Sequence, residues 1–341
     1  MKLATAALAV AVAGAIGLGV QAMPAGAGAQ PSLPPVSAED LVASVLTAKV
    51  PALGGTVTVR NALGLPALPG VVGPLTQPES TVRVWSDGQG RGRLSLPSRG
   101  GEQNFIEDGT TVWRYDSSAR TATAWEHGTK PTHQRPPVAD PAQVARDLVG
   151  AVRKSSTVSV DGTGTVAGRP VYQLVLTPAP TERTLLREVR VAIDSAHRIP
   201  LQLTVLANGS PDPALQIGFS DLTVGAQDPA LFRFTPPAGV KVERPTHEPK
   251  AGAQPGDRKG AMIRTDGEGW DTVVLGQLPA AQPGTDRDPL AMIQRIGRPA
   301  SGPWGQGWVV QTAVGTVLVT SDGRVAAGAV PQQVLDEALA R

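Results

Sequence analysis

The chain has 341 residues, a formal net charge of +2 and no cysteine. The missing thiols exclude disulfides, thiol catalysis, cysteine-ligated zinc or iron–sulfur sites and a lipid-modified N-terminal cysteine. Charge is nearly balanced, with no block of one sign, so there is no nucleic-acid footprint, and the length suits two ordinary domains.

Lys2 precedes an uncharged run, Leu3–Val20, and Ala27-Gly28-Ala29 has the A-x-A spacing of a signal cleavage site. As a helix that run would span about 27 Å, close to the thickness of a bilayer core. Residues 1–29 therefore read either as a cleaved signal peptide or as an N-terminal membrane anchor. Both place the remainder outside the cytoplasm. Residues 30–36 form a Pro-rich linker.

Ser37 then caps a short expected helix, "SAEDLVASVLTAK", with acids in its first turn, Leu41, Val42, Val45 and Leu46 on one face, and Pro51 beyond its end. From Gly55 the apolar period becomes two, as in strands. The next stretch, "ALGLPALPGVVGPL" (62–75), carries no charge and is pinned by Pro66, Pro69 and Pro74. Prolines lower the entropy cost of ordering such a connection. Two expectations stand for it: a lid or membrane-touching lip over a cavity mouth, built on Leu65, Leu68, Val71 and Val72, or ordinary packing against the helices.

"TVRVWSD" and "RGRLSLP" flank Gly88-Gln89-Gly90 as a hairpin. "QNFIEDGTTVWRYDSSARTATAW" reads as three strands, with turns at Asp108-Gly109 and Asp116–Ala119. Asp140-Pro141 opens a second helix. Five more strands follow to residue 224, and "GTGTVAG" (162–168) reads as a turn. "DPALFRFTPPAGVKVE" (228–243) closes the run, and residues 246–259 are a polar linker. Residues 260–341 read as a smaller α+β unit whose core is expected to hold Trp270, Trp304 and Trp308, with a binding patch as the alternative for them. The fold class is thus α+β: one highly curved antiparallel sheet, an unclosed β-barrel covered by helices, over 37–245, and a small C-terminal α+β domain over 260–341.

Motifs for chemistry are absent. His127, His133, His197 and His247 have no helical metal spacing, and there is no H-E-x-x-H, G-x-S-x-G or phosphate-loop motif. Acid pairs such as Glu107-Asp108 fall where hairpins turn. No catalytic residue, metal or cofactor is expected, and the sequence argues against an enzyme. A hydrolase would have to bring a nucleophile and base together from unrelated strands. The more apolar phases of the strands nominate Val84, Trp113, Tyr115, Leu174, Val191, Leu203, Val205 and Phe219 as cavity-facing, with plain core as the alternative for each. An apolar cavity with few polar anchors suits acyl chains, whose binding depends on buried area.

"EDGTTVWRYDSSARTATAW" (107–125) resembles a hairpin of the LolA-like lipoprotein-carrier superfamily through Asp108-Gly109, Trp113, Tyr115, Asp116, Ala122, Thr123, Ala124 and Trp125. "LFRFTPPAGVKVE" (231–243) resembles its closing signature through Phe232, Phe234, Thr235, Pro236, Pro237, Gly239 and Val240. The two bracket residues 36–245, and the abundance of Ala, Gly and Arg points to an actinobacterial member of a GC-rich host. The resemblance implies a non-enzymatic extracytoplasmic carrier or sensor that binds a lipid or lipoprotein acyl chain in a half-barrel. The RseB (MucB)-like branch implies instead a regulatory module that binds an anti-sigma factor or a sensor kinase at the cell envelope. The carriers' lid-holding arginine has no clear counterpart, although Arg93 and Arg99 lie nearby, and residues 260–341 lie beyond the resemblance.

Overall fold

The computed structural model describes residues 31–65, 77–98, 100–126, 140–244, 263–278 and 289–341. The N-terminal segment 1–29, the linker 246–259, and Leu68, Val71 and Val72 of the apolar connection lie outside the described residues, as do Arg99, His127, His133 and His247.

Helix α1 (Ala38–Thr47) starts where Ser37 accepts the Asp40 backbone N–H at 3.0 Å, with Glu39 and Asp40 in its first turn. Helix α2 (Pro141–Val152) starts where Asp140 accepts the Gln143 N–H at 2.9 Å, with a proline in the first turn, where no backbone N–H is missed. Between and after them run β1 (Leu53–Asn61), β2 (Glu79–Ser86), β3 (Gly92–Ser98), β4 (Gly101–Glu107), β5 (Thr111–Asp116) and β6 (Thr121–Glu126), then β7 (Ser156–Val166), β8 (Arg169–Pro178), β9 (Leu186–Asp194), β10 (Pro200–Ala207), β11 (Pro213–Val224) and β12 (Lys241–Glu243). They form one twelve-stranded sheet in the order β12-β6-β5-β4-β3-β2-β1-β11-β10-β9-β8-β7. Every neighbouring pair is antiparallel except β12 with β6.

The sheet is strongly curved and unclosed, since β12 and β7 end it. Its second half curls on itself: β7 and β11, four places apart in the order, come into contact. The stretch expected as a turn at 162–168 belongs largely to β7, where the register shifts between Val160 and Thr163 and the turn is confined to Ala167-Gly168. Gly162, with φ of 79°, supplies the left-handed residue that the bulge needs.

The C-terminal strands β13 (Arg264–Asp266), β14 (Val273–Gln277), β15 (Arg298–Gly302), β16 (Gly305–Gln311), β17 (Thr316–Thr320) and β18 (Arg324–Gly328) form a six-stranded antiparallel sheet in the order β13-β14-β18-β17-β16-β15. Helix α3 is Pro289–Ile296, and α4 (Gln332–Ala340) buries Val334, Leu335, Ala338 and Leu339 against this sheet. Trp304 belongs to that core, as expected. Trp308 does not, being only half-buried on β16. Nor does Trp270: its indole Nε1 donates to Ser156 Oγ at 2.6 Å, across the junction with the larger sheet.

That junction is a specific contact. The Leu185 N–H and Thr184 Oγ1 both donate to the Ala329 carbonyl, at 2.8 and 2.6 Å. Arg183 reaches Glu337 at 2.9 Å and Asp271 at 3.4 Å. Leu63, where the apolar connection begins, packs with Ala207 and Ala214 of the larger sheet and with Ala313 and Val314 of the loop between β16 and β17, and its carbonyl accepts the Ala313 N–H at 2.8 Å.

Candidate ligand-binding face

Both faces of the large sheet carry apolar residues, but among the described residues the two α-helices cover one of them. Register assigns that inner face. Val160, Leu174, Val191, Leu203, Ile217 and Val59 stand in one row across β7, β8, β9, β10, β11 and β1. Leu176, Val189, Val205 and Leu215 form the next row. Val57, Val82, Val84, Leu94, Leu96 and Phe219 extend the same cluster toward β2 and β3. Ala38, Leu41, Val42 and Val45 of α1 and Val149 and Val152 of α2 pack against it. Each such side chain removed from water contributes roughly 1.5–3 kcal/mol, so this cluster is also the core of the larger unit.

An N-terminal strap completes the cover. Leu33 and Val36 pack on the cluster. The strap's carbonyls accept two inner-face hydroxyls, Thr163 Oγ1 on Pro31 at 2.7 Å and Tyr172 Oη on Pro34 at 3.0 Å. Arg153 pairs with Glu39 and ties the region just beyond α2 to the start of α1. An open cleft of about 450 Å³ lies between the two helices, lined by Ser37, Glu39, Asp40, Arg146 and Arg153 among others. A second cleft, of about 380 Å³, lies between Gly64 and the β15–β16 side of the smaller sheet. Neither opens on the inner face.

Of the eight nominated residues, Val84, Leu174, Val191, Leu203, Val205 and Phe219 join this cluster. Trp113 and Tyr115 do not, and their nomination is corrected. Trp113 stands opposite Ile106 and Ala124, Ile106 opposite Arg93, and Arg93 opposite Trp85, the neighbour of inner-facing Val84. This is the outer face. There Trp113 and Tyr115 lie 5.3 and 5.2 Å from the Phe234 ring, in a cluster with Val240. Strand alternation could not separate the two faces, because the segment after β11 folds back and makes the outer face apolar as well. Arg93 also lies outside, donating to Asn104 Oδ1 at 3.0 and 2.8 Å. Leu65, nominated for the lid, is 42% exposed.

Tyr172, Ile193 and Ile217 were not nominated, yet they are inner-face residues. Tyr172 stands two positions before Leu174 on the same phase, so the signal was present. Past Ile193 the chain turns on Asp194, which is 0% exposed. Its carboxylate accepts Arg169 Nη2 at 3.2 Å and the backbone N–H groups of Ala196 and His197 at 2.9 and 2.6 Å. Burial pushes this carboxyl up; the Arg169 guanidinium and the two backbone donors outweigh it and hold the group below its ordinary value. His197 Nδ1 is 3.3 Å from the same carboxylate. Asp108 likewise forms a turn, accepting the Thr110 and Thr111 N–H groups, each at 2.8 Å.

Among the described residues, no group of three or more His, Cys, Asp or Glu side chains could hold a metal ion. Among them, too, no helix is long and apolar enough to cross a membrane.

No family model matches the chain, and no curated protein matches it. Among solved structures the chain is similar to MucB in complex with MucA(peri), at 18% identity and a TM-score of 0.45, over 89% of this chain and 97% of that one. It is similar to MucB in the Pseudomonas aeruginosa MucA/MucB complex at 17% identity and a TM-score of 0.44, over 89% and 96%. A LolA superfamily protein from Nitrosomonas europaea is similar at 13% identity and a TM-score of 0.24, over 59% and 99%.

Proposed function

We propose that this chain is an extracytoplasmic, non-enzymatic carrier or sensor that takes an acyl chain of a lipid or lipoprotein along the inner face of its half-barrel. One observation carries the reading: an unbroken apolar surface runs from β7 to β3 inside a curled, unclosed sheet, covered by two short helices and a strap. Displacing helices from such a face exposes area that an acyl chain can cover without needing polar partners. In this reading residues 1–29 take the chain across the cytoplasmic membrane, cleaved or as an anchor, and residues 37–245 and 260–341 act as two domains.

Native mass spectrometry of the protein purified gently from a homologous host, followed by organic extraction, tests it. A co-purified lipid of defined mass is expected. A clean apo mass, with no uptake of added lipid, would sink the reading. The second reading, a regulator that binds an anti-sigma factor or sensor kinase of the envelope, is favoured by the docked C-terminal sheet. A cargo carrier does not need that sheet, and through Arg183, Asp271 and Glu337 it can respond to changes in the larger one.

A further inference from the structure

Among the described residues, three non-glycine residues hold a left-handed backbone: Arg120, Ala167 and Arg198, with φ of 52°, 50° and 58°. That conformation disfavours a bulky side chain, so what each arginine does with its side chain matters. Arg120, in the β5–β6 turn, donates from Nη2 to the Ala238 carbonyl at 3.1 Å and ties down the closing segment. Arg198, in the β9–β10 turn, has no comparable use. Its Nη1 is buried and has no hydrogen-bond partner among the described residues. A buried donor left unpaired costs free energy, and native structures nearly always satisfy such groups.

The guanidinium lies over the Tyr172 ring, 4.9 Å from its centroid. Stacking of this kind holds the cation and leaves its in-plane N–H donors free for an acceptor. The Asp194 carboxylate is spent on Arg169 and its own turn, and the Tyr172 hydroxyl donates its hydrogen to the Pro34 carbonyl. Tyr172 and Ile193 are the last inner-face pair before the β9–β10 turn. The free donor therefore stands where the apolar face ends. An amphiphile needs this arrangement, with area along its chain and a charged fork at its end.

We propose that Arg198 binds the anionic head group, a carboxylate or a phosphate, of an amphiphile whose acyl chain lies on the inner face. This rests on the acyl-chain reading above.

The test measures displacement of a neutral fluorescent apolar probe from the full-length, delipidated protein by palmitate, hexadecyl phosphate and hexadecanol. One charge-assisted hydrogen-bonded pair corresponds to about a tenfold to hundredfold preference for the two anions over the alcohol. Asparagine tolerates the left-handed backbone, so Arg198→Asn is the variant, and its anion preference is expected to collapse toward unity. Arg120→Asn makes the same replacement in a turn spent on another contact, and should keep the preference. Equal affinity of the wild-type protein for all three ligands would overturn the head-group role while leaving the acyl-chain reading intact, and it needs no variant to fold. An undiminished preference in Arg198→Asn would also overturn it. Binding of none of the three would overturn both.

Discussion

Asp194 is the residue on which the β9–β10 turn depends, and its replacement should be costly. In Asp194→Ala the Arg169 guanidinium loses its carboxylate, and the Ala196 and His197 N–H groups lose their acceptor. Breaking a buried ion pair by removing one member costs about 3–5 kcal/mol. The Arg169 side chain is 25% exposed and recovers some hydration, which places the expectation at the lower end, about 3 kcal/mol. Asp194→Asn keeps an acceptor for the turn and should cost less, about 1–3 kcal/mol. Urea unfolding followed by circular dichroism measures both. The carboxyl's folded pKa lies below its unfolded value, so its contribution is fully present above the unfolded pKa, near pH 4. That contribution is lost as pH falls through the folded pKa. The stability gap between wild type and Asp194→Asn should therefore shrink as the pH is lowered from about 5 toward 2. A loss under about 1 kcal/mol in Asp194→Ala, or a gap that stays constant with pH, would refute the buried-pair account.

Two further outcomes separate the faces and the units. Trp113→Ala, on the outer face, should cost about 3–5 kcal/mol in a thermal or urea melt yet leave acyl uptake per folded molecule unchanged. Leu203→Ala, on the inner face, should cost about 2–5 kcal/mol and lower uptake as well. Uptake lost in the first variant and kept in the second would place the ligand on the wrong side of the sheet. Arg183 is 50% exposed, so Arg183→Ala should change global stability by less than about 1 kcal/mol. The same change should speed limited proteolysis of the loop 179–185, which joins β8 to β9 and docks on Ala329 and Trp270 of the smaller unit. An unaltered cleavage rate would mean that Arg183 does not hold the junction.

The helices and hairpins were legible because their signals are local. Ser37 and Asp140 each provide a side-chain oxygen within reach of the third following N–H, and Gly88 and Gly109 take the left-handed positions their turns require, with φ of 71° and 98°. Gly162 misled for the same reason. A left-handed glycine marks a turn or a bulge equally well, and only pairing with β8 across the irregularity decides for the bulge. Trp270 misled differently. A large aromatic in a small unit is expected inside, yet its one N–H found a partner, Ser156, on the neighbouring unit. Nothing local to either residue encodes that meeting, since 114 positions separate them.

The inner face was half legible for a physical reason that also bears on how it works. Strand periodicity tells which residues share a face, not which of the two faces a helix will cover. For β7 to β11 the outer phase carries Ser159, Gln173, Arg190, Gln202 and Gln216, so the inner phase was evident. For β4 to β6 the opposite phase is the packed one, because Phe234 and Val240 return from beyond β11 to cover Ile106, Trp113 and Ala122. On the other side of that same part of the sheet stand Arg114 and Thr123, opposite Phe105 and Arg114 respectively, and Arg114 is exposed. The helix-covered apolar surface thus fades along the sheet, from the tightly curled half toward β6, and a chain lying on it gains contact only over the first part. If the acyl-chain reading is right, uptake should respond to substitutions at Leu174, Val191 and Leu203 and be indifferent to Arg114→Ala; equal sensitivity at Arg114 would mean that the ligand spans the whole sheet instead.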